Sequence, residues 1–315
     1  MASQIGYPSS SMFKRRIFHL ETPLDVTIVP EKTEQVEYLF EEANKEIQRL
    51  EKLFSTLEEN NPIHQINKMA GIKPVIVDLE IFQLIERFFK VSSLTQRAFD
   101  ISVGSFHNKM SSINKITQLV ARKLNSTSRF HNLRALVLNQ EDHSIFLTKP
   151  GMRMELDGII SCYAIECIKR KLIESGVNSG VIITTGDLCT WGYSPCSKPW
   201  TLSIADPANG LNMFSEIEIS NKTITTVWGA EKIVHLNNVR DNSCDMNSLI
   251  RNPMNSISSV TIISSDTERG HTVATAVMTH EIKKGLGMIN QMNDIDCIIV
   301  DEHRIIFTSD NIRLK

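Results

Sequence analysis

The 315-residue chain predicts an α+β fold of mixed, mainly antiparallel sheets with flanking helices, and three observations point there. Apolar residues change period between two and about 3.6 along the chain, the signature of strands and amphipathic helices. Strands and helices come in runs without the strict β-α-β alternation that a doubly wound parallel sheet requires. No segment repeats at a period of about 20 to 50 residues, which argues against solenoids and propellers.

Residues 1–16 carry Ser, Gly and Pro without periodicity and read as a disordered lead-in, with the folded domain over 17–312. Leu24, Val26 and Ile28 alternate with polar residues up to Pro30, a half-buried strand. From Thr33, the residues Val36, Phe40, Ala43, Ile47, Leu50 and Phe54 form one apolar stripe of a long helix. A second helix starts after Asp78, and a third covers Ile113 to Leu124. Short strands over 135–138, 144–148 and 153–156 follow as a meander. A helix through Ala164, Ile168 and Leu172 stops at Gly176, and Val181 to Thr184 forms a strand. Further strands are expected at 202–205, 216–219, 223–227, 233–235 and 260–263, with a polar loop over 236–256. Helices from Ser265 and Lys283, then strands 297–300 and 304–307, close the chain.

Charge narrows the partners. The chain has 34 basic and 36 acidic side chains, a net charge of -2, and no long basic cluster, so it offers no footprint for nucleic acid or an anionic membrane. Lys14-Arg15-Arg16 is not followed by an apolar signal segment, and no run reaches the ~18 apolar residues of a membrane span. With no lipidation motif either, the expected location is the cytoplasm. Six cysteines lie apart without a C-x-x-C pair or a histidine at zinc-finger spacing, and they read as reduced thiols, several of them buried.

Three segments carry candidate chemistry. Glu155-Leu156-Asp157-Gly158 joins a strand to a helix, where an N-terminus receives anions; the bland alternative is that Asp157 caps the helix and Gly158 makes the turn. Thr184-Thr185-Gly186-Asp187 also follows a strand: Gly186 permits close backbone approach and Asp187 can accept from a hydroxyl or hold a metal, against the alternative of an ordinary turn. His271 and Thr275 lie four apart on one helical face, and imidazole suits Zn or Ni better than Mg. The competing reading of His271 is a helix-face histidine bonded to a nearby carbonyl. His64, His107, His143 and His280 lack a partner at catalytic spacing, and Trp191, Trp200 and Trp228 are either ring-stacking platforms or core.

In order, Phe99-Asp100-Ile101-Ser102-Val103-Gly104, Met154 to Ala164, Val181 to Asp187, Trp200 to Pro207 and Val260 to Val277 resemble the blocks of the ApbE family, the FAD:protein FMN transferases. Thr22, Leu53-Phe54-Ser55-Thr56 followed by Asn67, and Ile298-Ile299-Val300-Asp301 add to a resemblance that spans about residues 18–310. It implies an ApbE-like, T-fold-like α+β architecture whose cleft holds FAD with Mg on the pyrophosphate. The implied reaction transfers FMN to a Ser or Thr hydroxyl of a target protein and releases AMP. Carried over by position, His235 and Asp187 become catalytic. Asp157, Gly158, Ser161, Tyr163, Thr185, Gly186 and Thr226 become flavin-binding, and the Ile160 backbone carbonyl, His271 and Thr275 become metal ligands.

The chain departs from the family pattern at these same places. Ser161 stands where the resemblance expects a phosphate-facing Lys, and His271 where it expects a metal-binding Asp. The N-A-G-G-D turn is Ile183-Thr184-Thr185-Gly186-Asp187, Trp228 occupies a glycine position, and of the H-I-I-D-P-x-T-G segment only His235 is kept. Losing one anionic ligand and one cation weakens Mg and diphosphate binding. Two readings stay open: a flavin transferase whose activity is weak, altered or lost, and a non-catalytic flavin- or nucleotide-binding relative or interaction scaffold.

Overall fold

The structure is a computed structural model, and it describes residues 12–19, 22–54, 61–94, 102–104, 136–154, 156–205, 213–228 and 257–312. In chain order, β1 (Phe13–His19), β2 (Thr22–Val29), α1 (Val36–Phe54), α2 (Pro62–Lys68), β3 (Val75–Ile76), α3 (Leu79–Leu94) and β4 (Ser102–Gly104) come first. Then follow β5 (Leu136–Asn139), β6 (Ser144–Leu147), β7 (Met152–Met154), α4 (Asp157–Glu174), β8 (Ser179–Ile183) and β9 (Asp187–Trp191). The last are β10 (Trp200–Ala205), β11 (Met213–Ile219), β12 (Thr223–Trp228), β13 (Ile257–Ser264), α5 (Thr267–Met278), α6 (Ile282–Ile289), β14 (Asp296–Asp301) and β15 (Ile306–Thr308). The chain divides into two compact units, Met1–Glu51 with Ile159–Asn238 and Met254–Lys315, and Lys52–Gly158 with Val239–Pro253.

In the first unit, an antiparallel sheet of eight strands runs in the order β1-β2-β8-β9-β12-β13-β14-β15. Strand alternation gives this sheet two different faces. Leu24, Val26 and Ile28 of β2, Ile182 of β8, and Cys189 and Trp191 of β9 bury one face under α1 and α4, against Leu39, Phe40, Ala43, Ile47, Ile165, Ile168 and Leu172. The other face packs Val181, Ile224 and Ile263 under the β10–β11 hairpin, through Trp200 and Ile219. Burial on both sides explains why β8 reads as a continuous apolar run. Trp191 and Trp200 belong to these cores: Trp191 Nε1 donates to the Val177 carbonyl at 3.0 Å and Trp200 Nε1 to the Trp191 carbonyl at 3.3 Å.

The second unit is built from shorter pieces. Asn61 caps α2 by accepting the Ile63 N–H at 2.9 Å, with Pro62 at the first helical position. Asn67 then acts as a strand substitute for β7, accepting the Met154 N–H at 2.6 Å and donating to the Met154 carbonyl at 3.2 Å. A three-stranded β3-β6-β5 sheet and a two-stranded β4-β7 pair complete it.

Most expected elements are present, including the helix termination at Gly176, which adopts φ +91° while the Val177 N–H bonds back to the Leu172 carbonyl at 2.9 Å. Three differences have physical causes. β1 begins at Phe13, so residues 13–16 are strand, because Lys14 and Arg16 project from its exposed side to Asp25 on β2. α2 is too short to show a helical period, and β9 follows so tight a turn that Asp187 reads as loop. The expected helix over 113–124, the strand at 233–235 and the loop over 236–256 lie outside the described residues, as do residues 1–11 of the lead-in. Among the described residues, no helix is long and apolar enough to cross a membrane.

The basic triplet thus has a structural use. Arg16 Nε and Nη2 donate to Asp25 Oδ1 and Oδ2 at 2.7 and 3.0 Å, and Lys14 Nζ lies 2.8 Å from Oδ2. Arg16 first, then Lys14, holds the Asp25 carboxyl well below the usual carboxylate range. Its stabilisation is therefore complete above about pH 4, the unfolded value, and is lost as pH falls through the depressed folded value. Asp25→Asn should cost about 0.5–1 kcal/mol in urea denaturation at pH 7, and this cost should shrink as denaturation is repeated at progressively lower pH below 4.

Candidate active site

Two local constructions bring the candidate residues together. The first is the β8–β9 turn. The Thr184 N–H donates to the Asp187 carbonyl at 2.8 Å and the Asp187 N–H donates to Thr184 Oγ1 at 3.0 Å, so four residues reverse the chain and put Asp187 at the start of β9. Gly186 lies against β12, its carbonyl accepting the Thr226 N–H at 2.8 Å, and a Cβ there would meet the Thr226 carbonyl at 3.0 Å. Asp187 pairs with Thr225 of β12 and shares the helix-facing side of the sheet with Cys189 and Trp191.

The second is the N-terminus of α5. Asp266 caps it by accepting the Arg269 N–H at 2.7 Å. Glu166 of α4 accepts the Thr267 N–H at 2.8 Å and its hydroxyl at 2.9 Å, and that hydroxyl also lies 3.0 Å from the Cys162 carbonyl. A carboxylate on a helix N-terminus is favoured by both the unpaired N–H groups and the helix dipole. Behind this clamp, Gly270 lets α5 close on the sheet, since a Cβ there would lie 2.9 Å from both Ser264 Oγ and Thr225 Oγ1.

The consequence is a trio of two buried residues, Cys162 and His271, and the half-buried Asp187. Cys162 of α4, Asp187 of β9 and His271 of α5 each direct one ligand-capable atom into a common space, all within 4.8 Å of one another. Cys162 Sγ lies 3.9 Å from Asp187 Oδ2, whereas Asp187 Oδ1, His271 Nε2 and Thr225 Oγ1 are buried without a hydrogen-bond partner. Burial pushes the Asp187 carboxyl up to about 6, and the nearby Thr225 and Thr184 hydroxyls and Cys162 thiol offset this only in part. Burial holds His271 down at about 4, so its imidazole is neutral at pH 7. Burial, with the negative charges of Asp187, Glu268 and Glu166, keeps Cys162 a thiol.

Of the residues singled out in the sequence, Asp187 and His271 meet. Thr275 lies one turn along α5, buried, with its hydroxyl donating to the His271 carbonyl at 2.9 Å. Ile160, Ser161 and Tyr163 lie in the first turns of α4, and Asp157 and Gly158 open that helix. Thr185 is exposed at the hairpin tip. Thr226 points to the opposite face of the sheet from Asp187, where its hydroxyl lies 2.9 Å from that of Thr261. His235 lies outside the described residues. Cys162 escaped the sequence reading, because nothing in its spacing links it to Asp187 and His271. The usable signal was Glu166 one turn further on, which marks the side of α4 that meets α5.

The trio does not suit Mg. That ion takes oxygen donors in near-octahedral geometry, and the trio supplies one carboxylate beside a sulfur and an imidazole nitrogen. The approach of α5 can be tested directly: Gly270→Ala should cost about 1–3 kcal/mol in urea denaturation, and in a Thr225→Ala background clearly less, because that change removes one of the two atoms the new methyl meets.

The ApbE family model matches residues 20–299. A Klebsiella pneumoniae FAD:protein FMN transferase is 26% identical over 279 residues, covering 85% of this chain and 84% of that protein. The crystal structure of the Thermotoga maritima ApbE protein superposes with a TM-score of 0.79 at 20% identity, covering 95% of this chain and 97% of the other. The apo flavinyl transferase ApbE of Pseudomonas stutzeri gives 0.73 at 16% identity, covering 97% and 98%. The solved structures share the fold, and the family match over residues 20–299 establishes that this chain belongs to the ApbE family.

Proposed function

We propose that the chain is a flavin-nucleotide protein of the FAD:protein FMN transferase type, one family domain over residues 17–312, in which Mg-dependent transfer is weak or lost. The observation that carries this reading is the retained Gly186-Asp187 turn with His271, not a carboxylate, facing Asp187. In the family-type reaction the phosphoanhydride of FAD breaks, AMP leaves with the bond electrons, and the FMN phosphorus bonds to a Ser or Thr oxygen of a target protein, whose proton is released. Asp187 and His235 are the proposed catalytic pair. Asp157, Gly158, Ser161, Tyr163, Thr185 and Gly186 are the proposed flavin contacts, Thr226 being left out because its side chain faces the other side of the sheet, and the Ile160 carbonyl, His271 and Thr275 mark the metal position of the family pattern. The proposed setting is the cytoplasm.

A second reading, a flavin-binding relative without turnover, is favoured by Ser161. Electrostatic stabilisation of a leaving phosphate depends on cations aimed at the developing charge, and a hydroxyl supplies none. FAD titration by flavin fluorescence with and without Mg, combined with AMP release in the presence of a Ser/Thr acceptor protein, separates the readings. FAD binding with little Mg dependence and slow AMP release is expected; rapid Mg-dependent release would overturn the claim of decline.

Restoring the altered charges makes a sharper test. His271→Asp with Ser161→Lys should raise Mg and FAD affinity by about 10-fold or more, and by more than the single changes combined, because carboxylate and ammonium act on one metal–diphosphate unit. His271→Asp alone should lower the melting temperature of metal-free protein by several degrees, since two buried carboxylates repel, and Mg should restore it. A double variant that binds FAD no better than the parent would show that bulk near Trp228, not charge, limits the cleft.

A further inference from the structure

We propose that Cys162, Asp187 and His271 form a three-ligand site for a thiophilic divalent ion of the zinc class, distinct in its chemistry from a magnesium site. Three secondary-structure elements, α4, β9 and α5, supply one donor each, and each donor is of a different type: thiol sulfur, carboxylate oxygen and imidazole nitrogen. Zn(II) accepts this mixture, and tetrahedral coordination at about 2.0–2.3 Å from each donor sets its ligands about 3.3–3.8 Å apart. Cys162 Sγ and Asp187 Oδ2 already stand 3.9 Å apart, and no pair of the three exceeds 4.8 Å. The set therefore stands within about 1–1.5 Å of tetrahedral spacing around an ion.

Hydrogen bonding supports the assignment independently of distance. Polar side chains held for packing alone pair their buried atoms, yet beyond the Cys162–Asp187 Oδ2 contact Asp187 Oδ1 and His271 Nε2 are buried and unpartnered. Both are lone-pair donors of the kind a dication engages, and His271 is only 8% exposed. The carboxylate and a thiolate together would neutralise a 2+ ion, so the ion would not bring net charge into the interior. Three protein ligands leave a tetrahedral ion one further position, for water or a phosphate oxygen. A hydrogen bond links two of the three elements: the Thr267 hydroxyl donates to the Cys162 carbonyl from the first turn of α5, which carries His271 one turn on.

This inference stands apart from flavin transfer, because it concerns metal chemistry readable without FAD. The test uses full-length protein carrying Cys196→Ser and Cys244→Ser, which removes the exposed thiol and the one outside the described residues. After treatment with a chelator and its removal, the protein is titrated with Co(II), whose bond to a thiolate gives a sulfur-to-metal charge-transfer absorption. Zn(II) is then used to displace it. One ion per chain, a thiolate band, displacement by Zn(II) and indifference to millimolar Mg are expected. Cys162→Ser should abolish the band and weaken Zn(II) binding by about 10-fold or more, and His271→Ala by about 100-fold or more, with far-ultraviolet circular dichroism unchanged. If either variant unfolds, Asp187→Asn, a near-isosteric change, should still weaken Zn(II) by about 10-fold. A parent that binds no Zn(II), that shows no thiolate band, or whose Co(II) is displaced by Mg would overturn the proposal.

Discussion

The arrangement on the helix face of the large sheet depends on one contact, the Glu166 carboxylate against the N-terminus of α5. It accepts the backbone N–H of Thr267, a donor that an interior helix end would otherwise leave unsatisfied, and lies 2.9 Å from the Thr267 hydroxyl, which the Cys162 carbonyl also receives. Because Glu166 is fixed on α4, the bond also sets the rotation of α5 about its axis. Gly270 then faces Thr225 and Ser264 at a distance that only a residue without Cβ tolerates, and His271, the next residue, is carried to Asp187.

That geometry has an electrostatic cost which the fold supports elsewhere. Desolvation opposes charge on Asp187, on His271 and on Cys162, moving each group in the direction of its neutral form. Natural sequences break the rule of satisfied buried polar groups mainly where function requires it. Here three such atoms, Asp187 Oδ1, Thr225 Oγ1 and His271 Nε2, belong to neighbouring residues of the site, while the framework around them, the Thr184–Asp187 turn and the Thr223–Ser264 hydroxyl pair, is hydrogen-bonded. A rigid frame around unpaired donors is how a protein holds ligands ready for an ion or substrate.

Legibility varied with the range of the interactions. The stripe beginning Val36, Phe40, Ala43 and Ile47 and the alternation at Leu24, Val26 and Ile28 announce α1 and β2, because one face of each packs into the same core. β1 was hidden because its polar side is basic and reads as a flexible terminus until Asp25 is seen opposite. Asn67 drew attention as part of a family resemblance, but its role in satisfying both polar groups of Met154 depends on a contact 87 residues away in sequence. Asp187 and His271 are separately visible as candidates, each beside a structural role that local sequence favours.

Sequence by itself determined the α+β class, most elements, the family resemblance, and the residues at which this chain departs from the family pattern, Ser161 and His271 above all. These are properties of local order: side-chain period, turn chemistry and blocks in succession. Tertiary structure alone decided that Cys162 joins Asp187 and His271, and that Thr226 looks to the other side of the sheet. The physical reason is that a metal-binding or catalytic set is defined by a few ångströms of space, and three donors on a helix, a strand and another helix acquire that proximity only when α4 and α5 dock on the same face of one sheet.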